Sequence, residues 1–237
     1  MPNLTPKFEI VRKEVDDSHY YFIDNEFYPA VTAILDEAAP VPWALKDWFK
    51  RMTPDEINGK QKESLEFGSK IHDAIEKLLN GFELNLLRDY PSTREKKHIV
   101  AFAQWYLNFK PKVIATENTV ASKKYKYAGT LDLLCQVGDT YWIVDFKTSA
   151  GVYESYHWQL AAYRQAVLET YGIAVEKSAI LRTGTKHKSG YEFVEGVRPF
   201  DEFKKIYDIY LSLHNGEIPK PPMLDVYPET LKLEDYQ

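Results

Sequence analysis

Two acidic residues and a lysine lie on neighbouring predicted strands and could act together in hydrolytic chemistry. The segments on either side of Gly138-Asp139 alternate like strands, and this dipeptide is typical of a two-residue hairpin turn. In that register Asp132 faces Asp145 directly, with Cβ atoms roughly 4.5–5.5 Å apart. Because side chains alternate along a strand, Asp145 and Lys147 point to the same face. The sequence therefore predicts a cluster of two carboxylates and one amine.

The facing carboxylates need an explanation, because like charges opposite each other destabilise a sheet. Either Lys147 acts as their counter-ion, or a divalent cation binds between them, since carboxylate oxygens suit Mg²⁺, Mn²⁺ or Ca²⁺. The alternative is that both acids are simply hydrated on an exposed sheet face, and the hairpin alone favours neither reading. The opposite face is apolar and is predicted to face the core: Leu131, Leu133, Cys135, Trp142, Val144 and Phe146.

A helix predicted over residues 68–80 could bring a histidine to the same site. Its apolar residues recur with the helical period, and Gly68, His72 and Glu76 follow at four-residue intervals along the flank of that stripe. A side chain on this edge can reach a cleft, although an isolated histidine there more often has a structural role. Gly68 weakens a helix by about 1 kcal/mol relative to Ala, so we expect the close approach of another backbone segment to explain it.

Other polar residues are candidates with weaker signals. Glu117 interrupts an otherwise strand-like segment and is either a third carboxylate of the site or a solvent-facing residue. Gln159 and Tyr163 lie four residues apart on a predicted helix and share a face, although packing against the sheet would explain them equally well. Basic residues form three clusters, each either a hydrated surface or a contact to a nucleic-acid backbone: Arg94, Lys96 and Lys97; Lys123, Lys124 and Lys126; Arg182, Lys186 and Lys188.

The predicted elements place these residues in an α/β fold. Two strands are expected within residues 7–28, around a turn at Asp16-Asp17-Ser18, and helical segments are expected at 30–39, 43–66, 68–80 and 93–109. Three strands follow at 113–120, 125–137 and 140–148, then a helix at 154–171, strands at 179–183 and 191–196, and a last helix at 199–214. A helix between two strands after the meander implies a crossover, so we expect a mixed central sheet flanked by helices.

Composition limits the classes of protein that this chain could be. Its 237 residues are 44% hydrophobic and 27% charged, which is close to the globular average and excludes disorder over the whole length. The single cysteine, Cys135, excludes an internal disulfide and a zinc or iron–sulfur site built from cysteines. The net charge of −5 argues against coating nucleic acid by bulk charge, but it allows a local basic groove.

The chain is expected to lie in the cytoplasm, or in the host cytoplasm if a phage encodes it. No apolar run reaches the ~18 residues of a membrane span, and the N-terminal segment lacks the apolar core of a signal peptide. We therefore expect no membrane partner.

Taken together, these residues resemble the PD-(D/E)xK nuclease superfamily, in particular its RecB-like exonuclease branch. The chain departs from the family pattern at Leu131, which stands where the name-giving proline would be, and it lacks the cysteines of relatives that hold an iron–sulfur cluster. No helicase motif is visible, so it is most similar to small stand-alone phage and mitochondrial exonucleases. The matching motifs occur in order between residues 68 and 163: Gly68-x-x-x-His72, Glu117, Gly129-Thr130-Leu131-Asp132, Asp145-Phe146-Lys147-Thr148 and Gln159-x-x-x-Tyr163.

The resemblance implies a role for each of these residues. Asp132 and Asp145 would bind one or two Mg²⁺ or Mn²⁺ ions together with His72 and the backbone carbonyl of Phe146, and the imidazole would make Mn²⁺ a good ion. Among the catalytic residues, Glu117 would support the site directly or through water, while Lys147 would orient the attacking water and stabilise charge on the phosphate. The residues expected to support the site or contact nucleic acid are Gln159, Tyr163, Glu76, Lys124 and Lys126.

The resemblance also implies a fold and an activity. We expect a restriction-endonuclease-like core over residues 67–214, a tail over 215–237, and an N-terminal hairpin and helical cover over 1–66, with Trp43, Trp48 and Phe49 above the active site. The expected activity is a metal-dependent deoxyribonuclease, acting as an exonuclease on single-stranded or frayed DNA ends. The alternatives are a structure-specific or restriction-like endonuclease, a catalytically idle nucleic-acid-binding module, and RNA as the substrate.

Overall fold

A computed structural model describes residues 4–15, 18–196 and 198–221. The predicted turn residues Asp16 and Asp17 and most of the predicted tail, residues 222–237, lie outside these ranges. The chain begins with a three-stranded antiparallel sheet of β1 (Ile10–Val15), β2 (Ser18–Ile23) and β3 (Glu26–Tyr28). Four helices follow, α1 (Val31–Ala38), α2 (Trp43–Phe49), α3 (Pro54–Leu79) and α4 (Thr93–Phe109).

The remaining elements form the central sheet and its second helical layer. They are β4 (Lys112–Ser122), β5 (Tyr127–Val137), β6 (Thr140–Lys147), α5 (Glu154–Tyr171), β7 (Lys177–Thr183), β8 (Tyr191–Glu195) and α6 (Phe200–Leu213). The five strands lie in the order β4-β5-β6-β7-β8. β6 pairs with β7 in parallel and every other neighbouring pair is antiparallel. Because a parallel pair needs a crossover, α5 connects β6 to β7, and the predicted mixed sheet is confirmed.

The predicted turn at Gly138-Asp139 sets the register of β5 against β6. Val137 pairs with Thr140, as expected, and Gly138 has a φ of 60°, which a glycine adopts without strain. The pairing continues as far as Leu133 opposite Val144. The hairpin register was therefore correct over this stretch.

Both faces of the central sheet are covered, because alternate side chains of its inner strands are apolar on both sides. Leu133, Cys135 and Val144 pack in a core with α3 and α4. Leu134 and Ile143 pack in a second core with α1, α5 and α6. The predicted α/β architecture, with a mixed sheet flanked by helices and extra N-terminal elements, is confirmed.

One expected core residue lies on the other side of the sheet. Leu131 was predicted to share a face with Leu133 and Cys135, but it packs in the core beside α5. β5 pairs with β6 only as far as Leu133, and beyond that point it follows β4, whose Glu117 has a φ of 44°. Side chains therefore do not alternate regularly along this part of β5, and Leu131 and Leu133 lie on opposite faces of the sheet.

A single long helix replaces two predicted helical segments. α3 begins at a capping box in which Thr53 Oγ1 accepts from Glu56 N while the Glu56 carboxylate accepts from Thr53 N. It ends at Asn80 and Gly81, as expected, and Gly81 has a φ of 82°. The domain boundary predicted after residue 66 falls inside this helix, so α3 joins the predicted cover to the core.

The N-terminal sheet has one more strand than the sequence indicated. The segment YYFIDNEFY was expected to be a single strand, but Asp24 and Asn25 have φ values of 47° and 67° and separate β2 from β3. Asn and Asp tolerate this left-handed conformation better than most residues, which explains the turn. The small sheet is fixed to the central sheet by a shared core of Tyr21, Ile23, Tyr28, Ala121 and Ala128.

The described helices include none that combines the length and the apolar character needed to cross a lipid bilayer.

Candidate active site

The two aspartates of the predicted cluster lie where β5 and β6 separate. The strand pairing ends one residue before Asp132 and Asp145, so the expected direct cross-strand pair is not formed. Instead, Asp132 Oδ2 accepts a 2.6 Å hydrogen bond from the backbone N–H of Phe146. A side chain thus joins the strands where the ladder stops, and the carboxylate of Asp132 is left facing α3.

Three residues from three elements converge at this point. His72 of α3, Glu117 of β4 and Asp132 of β5 each offer an atom that could bind a metal, and these atoms all lie within 4.8 Å of one another. His72 Nδ1 is 3.5 Å from Asp132 Oδ1 and 3.8 Å from Glu117 Oε1. Two ligands that each lie ~2.1 Å from one Mg²⁺ can be no more than about 4 Å apart, so these two distances fit a shared ion.

This candidate metal-binding group overlaps the predicted ligands only in part, and the predicted ligand set stays a prediction. Asp145 was expected to be a ligand, but it lies outside the group and both of its oxygens are within 2.9 Å of Lys147 Nζ. The carbonyl of Phe146 was also expected to be a ligand, but it lies 3.0 Å from His72 Nε2 and accepts a hydrogen bond from it. This bond leaves His72 Nδ1 directed at the carboxylates. The Phe146 carbonyl thus plays the part of the outer-shell group that orients a metal-binding imidazole.

The donor set nevertheless suits a hard divalent ion. Carboxylates with a single imidazole are ligands that Mg²⁺ or Mn²⁺ accepts. Asp145 Oδ2 is buried and makes no hydrogen bond of good geometry with any described residue, although Lys147 Nζ is only 2.7 Å away. The nearby Lys147 ammonium offsets the cost of burying this oxygen, so the case for a metal ion rests on His72, Glu117 and Asp132.

The charges at the site depend strongly on one another. Burial disfavours the imidazolium of His72, but the Asp132 carboxylate outweighs burial and raises the pKa of His72 to about 10. Burial also opposes the charge of Asp132, yet His72 holds the pKa of Asp132 below its usual value. Burial raises the pKa of Glu117. The raised pKa of His72 favours an imidazolium beside the Asp132 carboxylate, and a divalent ion would take over that role.

Lys147 forms the second half of the site. Its amine contacts Asp145, lies 3.4 Å from Gln159 Oε1 and sits 4.8 Å from the centre of the Tyr156 ring. Burial disfavours the ammonium, but the charges of Asp145 and Asp132, together with the hydrogen bond to Asp145, outweigh burial and raise the pKa of Lys147. Burial raises the pKa of Asp145 to about 6, although Lys147 opposes this. The lysine is thus held as a cation at a defined position beside the metal-binding group.

The predicted pair on α5 supports this lysine. Gln159 Nε2 donates to Tyr163 Oη over 3.2 Å, and the amide thereby turns its oxygen to Lys147. The buried ring of Tyr163 lies against Gly129, where an added Cβ would be only 2.6 Å from Tyr163 Cε1. Packing rather than chain reversal therefore explains the glycine of the Gly129-Thr130-Leu131-Asp132 motif.

Glu117 has a backbone conformation that the sequence did not reveal. Its φ of 44° lies in the left-handed region, in the middle of an eleven-residue strand. A non-glycine residue there is uncommon, and such strain collects at functional sites. The distortion turns the carboxylate of Glu117 to the side of His72 and Asp132.

The flank of α3 lines a cavity of about 640 Å³, which we call the active-site cavity. Gly68, His72, Glu76 and Glu117 are among its lining residues, as the four-residue spacing predicted. The explanation expected for Gly68 was wrong, since an added Cβ would meet only Thr148 Oγ1, at an ordinary 3.6 Å.

Two of the three basic clusters meet in a second cavity of about 870 Å³, which we call the basic groove. Arg94 and Lys97 of α4 face Arg182 and Lys186 of the β7–β8 region across it, with Thr148 at its floor. Arg182 is also held by Glu192 at 2.7 Å. Thr148, which follows Lys147 in the chain, is one of the residues that line this groove.

The third basic cluster lies in the β4–β5 turn and lines neither cavity. Lys126 pairs with Glu26 of β3, and the ammonium of Lys124 lies over the Tyr125 ring. The structure thus gives both lysines partners within the protein. Their contact with nucleic acid stays a prediction.

The wall of the active-site cavity agrees only in part with the predicted cover, because Ser64 and Leu65 of the 43–66 segment line it but its aromatic residues do not. Trp43 is 77% exposed, and none of the three aromatic residues of α2 lines the cavity. Arg12 and His19 of β1 and β2 line it instead, and Arg12 Nη1 donates to Thr130 Oγ1 over 3.3 Å. Sequence reasoning missed Arg12 and Tyr156, and no spacing or motif distinguished them.

Comparison with known proteins gives an independent result. No curated protein matches the chain. A candidate exonuclease from Eubacterium rectale is 14% identical, with a TM-score of 0.49 over 88% of this chain and 92% of that one. An alkaline exonuclease from Laribacter hongkongensis is 13% identical, with a TM-score of 0.38 over 62% of this chain and 78% of that one.

The family comparison covers most of the chain. The model of the PD-(D/E)XK nuclease superfamily matches residues 35–223, which include every element from α4 to α6 and the residues of the metal-binding group. The matched residues contain all five strands of the mixed sheet, and they also contain Asp132, Asp145 and Lys147. The chain belongs to the PD-(D/E)XK nuclease superfamily.

Proposed function

We propose that this nuclease is a metal-dependent deoxyribonuclease that acts as an exonuclease on single-stranded or frayed DNA ends. The observation that carries the proposal is the grouping of His72, Glu117 and Asp132 beside the Asp145–Lys147 pair. Nucleases of this superfamily use divalent metal ions, and these residues offer oxygen and imidazole ligands at suitable distances.

His72, Glu117 and Asp132 would hold the ion, with Asp145 next to them. When bound, a divalent ion supplies an acidified water and neutralises charge on the phosphate. Mn²⁺ and Mg²⁺ both suit the carboxylates, and the imidazole favours Mn²⁺ over Mg²⁺. The hydrogen bond from His72 Nε2 to the Phe146 carbonyl would keep Nδ1 aimed at the ion.

Lys147 would act on the phosphate and on the attacking water. Its amine is a cation fixed by Asp145 and approached by Gln159, so it is preorganised and needs little rearrangement when charge develops. Its raised pKa makes it a donor rather than a general base. The proton released by the water would pass to solvent or to a carboxylate of the site.

The basic groove favours a nucleic-acid substrate that continues past the site. The lining residues that the structure describes include four lysines and arginines and no acid, in a chain whose net charge is −5. A Cβ added to Gly68 of the active-site cavity would lie 3.6 Å from Thr148 Oγ1 of the groove, so the two cavities flank a single point. An extended strand could cross it with one phosphate at Lys147 and the next phosphates in the groove.

End-labelled single- and double-stranded DNA, digested with Mg²⁺, with Mn²⁺ and with a chelator, tests this proposal. We expect cleavage only with metal, faster on single strands and frayed ends. A covalently closed single-stranded circle should resist, and efficient cutting of it would favour an endonuclease. Faster cleavage of a matched RNA strand would assign RNA as the substrate.

The matched variants are Lys147→Ala and Lys177→Ala. Lys177 is an exposed strand residue paired with Glu195, so its loss should leave cleavage unchanged. Lys147→Ala should reduce kcat by about 10²-fold or more with the fold and DNA binding retained, although the buried Asp145 left without its partner should lower the thermal unfolding midpoint. If neither wild type nor Lys147→Ala cleaves DNA with Mg²⁺ or with Mn²⁺, the results would instead favour the interpretation that the chain is a nucleic-acid-binding module.

A further inference from the structure

The N-terminal hairpin, defined as β1 and β2, forms one wall of the active-site cavity. Arg12 and His19 belong to this hairpin, and they line the same cavity as His72 and Glu117. The family match begins at residue 35, so nothing in the family comparison assigns a role to these strands. The hairpin therefore adds side chains to the site from outside the matched region.

Packing holds the hairpin in place. Tyr21 and Ile23 of β2 are buried in a core shared with Ala121 and Ala128 of the central sheet. The backbone N–H of Ala128 donates to Pro29 O over 3.0 Å, which ties the end of the small sheet to β5. The position of the hairpin over the site is thus fixed by buried contacts rather than by surface ones.

The strand register aims Arg12 at the nuclease core. Arg12 pairs with Tyr21 across the hairpin, and both side chains reach Thr130, which lies two residues before Asp132. Arg12 Nη1 donates to Thr130 Oγ1 over 3.3 Å, and Tyr21 Oη shares a 3.1 Å hydrogen bond with the same oxygen. The guanidinium is therefore placed beside the strand that carries the metal-binding aspartate.

The charges of the cavity give Arg12 a particular importance. Among the described lining residues, Asp73, Glu76 and Glu117 are acidic, and Arg12 is the only lysine or arginine. A phosphate entering beside these acids would be repelled unless a cation lay within reach. Arginine binds phosphate through two parallel N–H donors, a geometry that lysine does not provide.

The contacts of Arg12 leave donors for a ligand. Its Nη2 contacts Glu14 and His19, but Glu14 is 63% exposed, and exposed ion pairs contribute little. The bond to Thr130 is long, and Nε is buried without a hydrogen-bond partner among the described residues. Because Nε is buried, the donors that a ligand can reach are those of Nη1 and Nη2, and Nη1 uses only one of its two N–H groups for Thr130.

We propose that Arg12 contacts a substrate phosphate in the active-site cavity, so that the N-terminal hairpin supplies a phosphate-binding residue to the nuclease core. This inference rests on the proposed function, because the phosphate belongs to the nucleic-acid strand that is cleaved. The contact adds a second cation to the site besides Lys147.

The test compares Arg12→Ala, Arg12→Lys and Lys13→Ala on labelled single-stranded DNA. Lys13 is the neighbouring strand residue, its ammonium lies over the Phe22 ring, and it does not line the cavity, so it controls for lost charge on the same strand. We expect Arg12→Ala to lower kcat/KM by at least 10-fold and to weaken strand binding in chelator severalfold. The kcat/KM of Arg12→Lys should lie between those of Arg12→Ala and wild type. The kcat/KM of Lys13→Ala should stay within about twofold of wild type.

Chemical rescue separates phosphate contact from a structural role. Guanidinium ions at low millimolar concentration should restore part of the activity of Arg12→Ala and none in Lys147→Ala. If Arg12→Ala cleaves like wild type, or if its loss is restored neither by guanidinium nor by Arg12→Lys, the inference is wrong and the nuclease function stands. An inactive wild type would overturn both.

Discussion

At the scale of single residues, the site is organised by pairs that neutralise one another. Asp132 is paired with His72, and Asp145 is paired with Lys147. The two pairs lie side by side where β5 leaves β6, and Asp132 raises the pKa of Asp145 in addition to burial. The site therefore holds each of the two buried aspartates beside a basic partner, while burial and the neighbouring carboxylate oppose the charge of Asp145.

The packing of Gly129 against Tyr163 makes a prediction at this scale. In Gly129→Ala, the new Cβ would lie 2.6 Å from Tyr163 Cε1 and 3.0 Å from its hydroxyl oxygen, and the ring is too buried to move away freely. We expect a loss of about 1–3 kcal/mol in the free energy of unfolding, as overpacked cores show. Urea denaturation at equilibrium measures it.

Gly59→Ala provides the matched control for that substitution. Gly59 lies in α3, where an added Cβ meets no atom within 4 Å. The alanine should stabilise the helix by up to about 1 kcal/mol, because glycine is the poorer helix former. A Gly129→Ala protein as stable as wild type would show that Tyr163 can repack.

At the scale of elements, the active site is assembled from α3, three strands and α5. α3 carries Gly68, His72 and Glu76 along one flank, and α5 carries the Gln159–Tyr163 pair that positions Lys147. Neither helix contributes residues of its terminus to the active site. Both contribute by a polar edge beside an apolar stripe, which is why four-residue spacing was informative.

The basic groove between α4 and the β7–β8 region makes a prediction at the element scale. Lys97 and Lys186 line it, and neither forms an ion pair with a described residue. If both contact phosphates, Lys97→Gln/Lys186→Gln should reduce the slope of log affinity against log salt by about 1.4, at ~0.7 per single-strand phosphate. Fluorescence anisotropy of a labelled single strand in chelator measures the slope.

The control for the groove is Lys204→Gln/Lys205→Gln on α6, which removes the same charge from a helix that packs in the other core. Its slope should equal that of wild type. Equal slopes in all three proteins would place the strand elsewhere on the surface.

At the scale of the whole molecule, both faces of the central sheet are buried. One core lies under α3 and α4, and the other lies under α1, α5 and α6. The active site sits at the edge between them, where β5 and β6 diverge. The sheet interior is therefore reached by solvent only when the fold opens.

Cys135 reports on that opening, because it is the single cysteine and is completely buried in β5. Burial raises its pKa to about 12, so the native thiol is neither exposed nor ionised near neutral pH. We expect reaction with an aromatic disulfide reagent to be at least ~10³-fold slower in buffer than in 6 M urea, given typical domain stabilities. Absorbance of the released thiolate measures the rate.

Cys135→Ala should abolish the signal under both conditions. A native rate within tenfold of the denatured rate would mean that the sheet interior opens locally. Comparison with the urea unfolding curve distinguishes local opening from low overall stability.

The amino-acid sequence alone determined the order of the elements from α4 to α6, the hairpin at Gly138-Asp139 and the cluster of Asp132, Asp145 and Lys147. It also placed His72 and Glu76 on one helical flank. These features depend on local periodicity and turn chemistry, which a few neighbouring residues set. For the same reason, the bounds of α4 and α5 were predicted closely.

Only the tertiary structure decided which groups share the candidate metal-binding site. Glu117 joins His72 and Asp132 because of a left-handed backbone inside a strand, and Asp145 turns to Lys147 because β5 and β6 part before the two aspartates pair. Arg12 reaches Thr130 across 118 positions of sequence. Such contacts arise from strand divergence and long-range packing, and no local pattern of residue types encodes them.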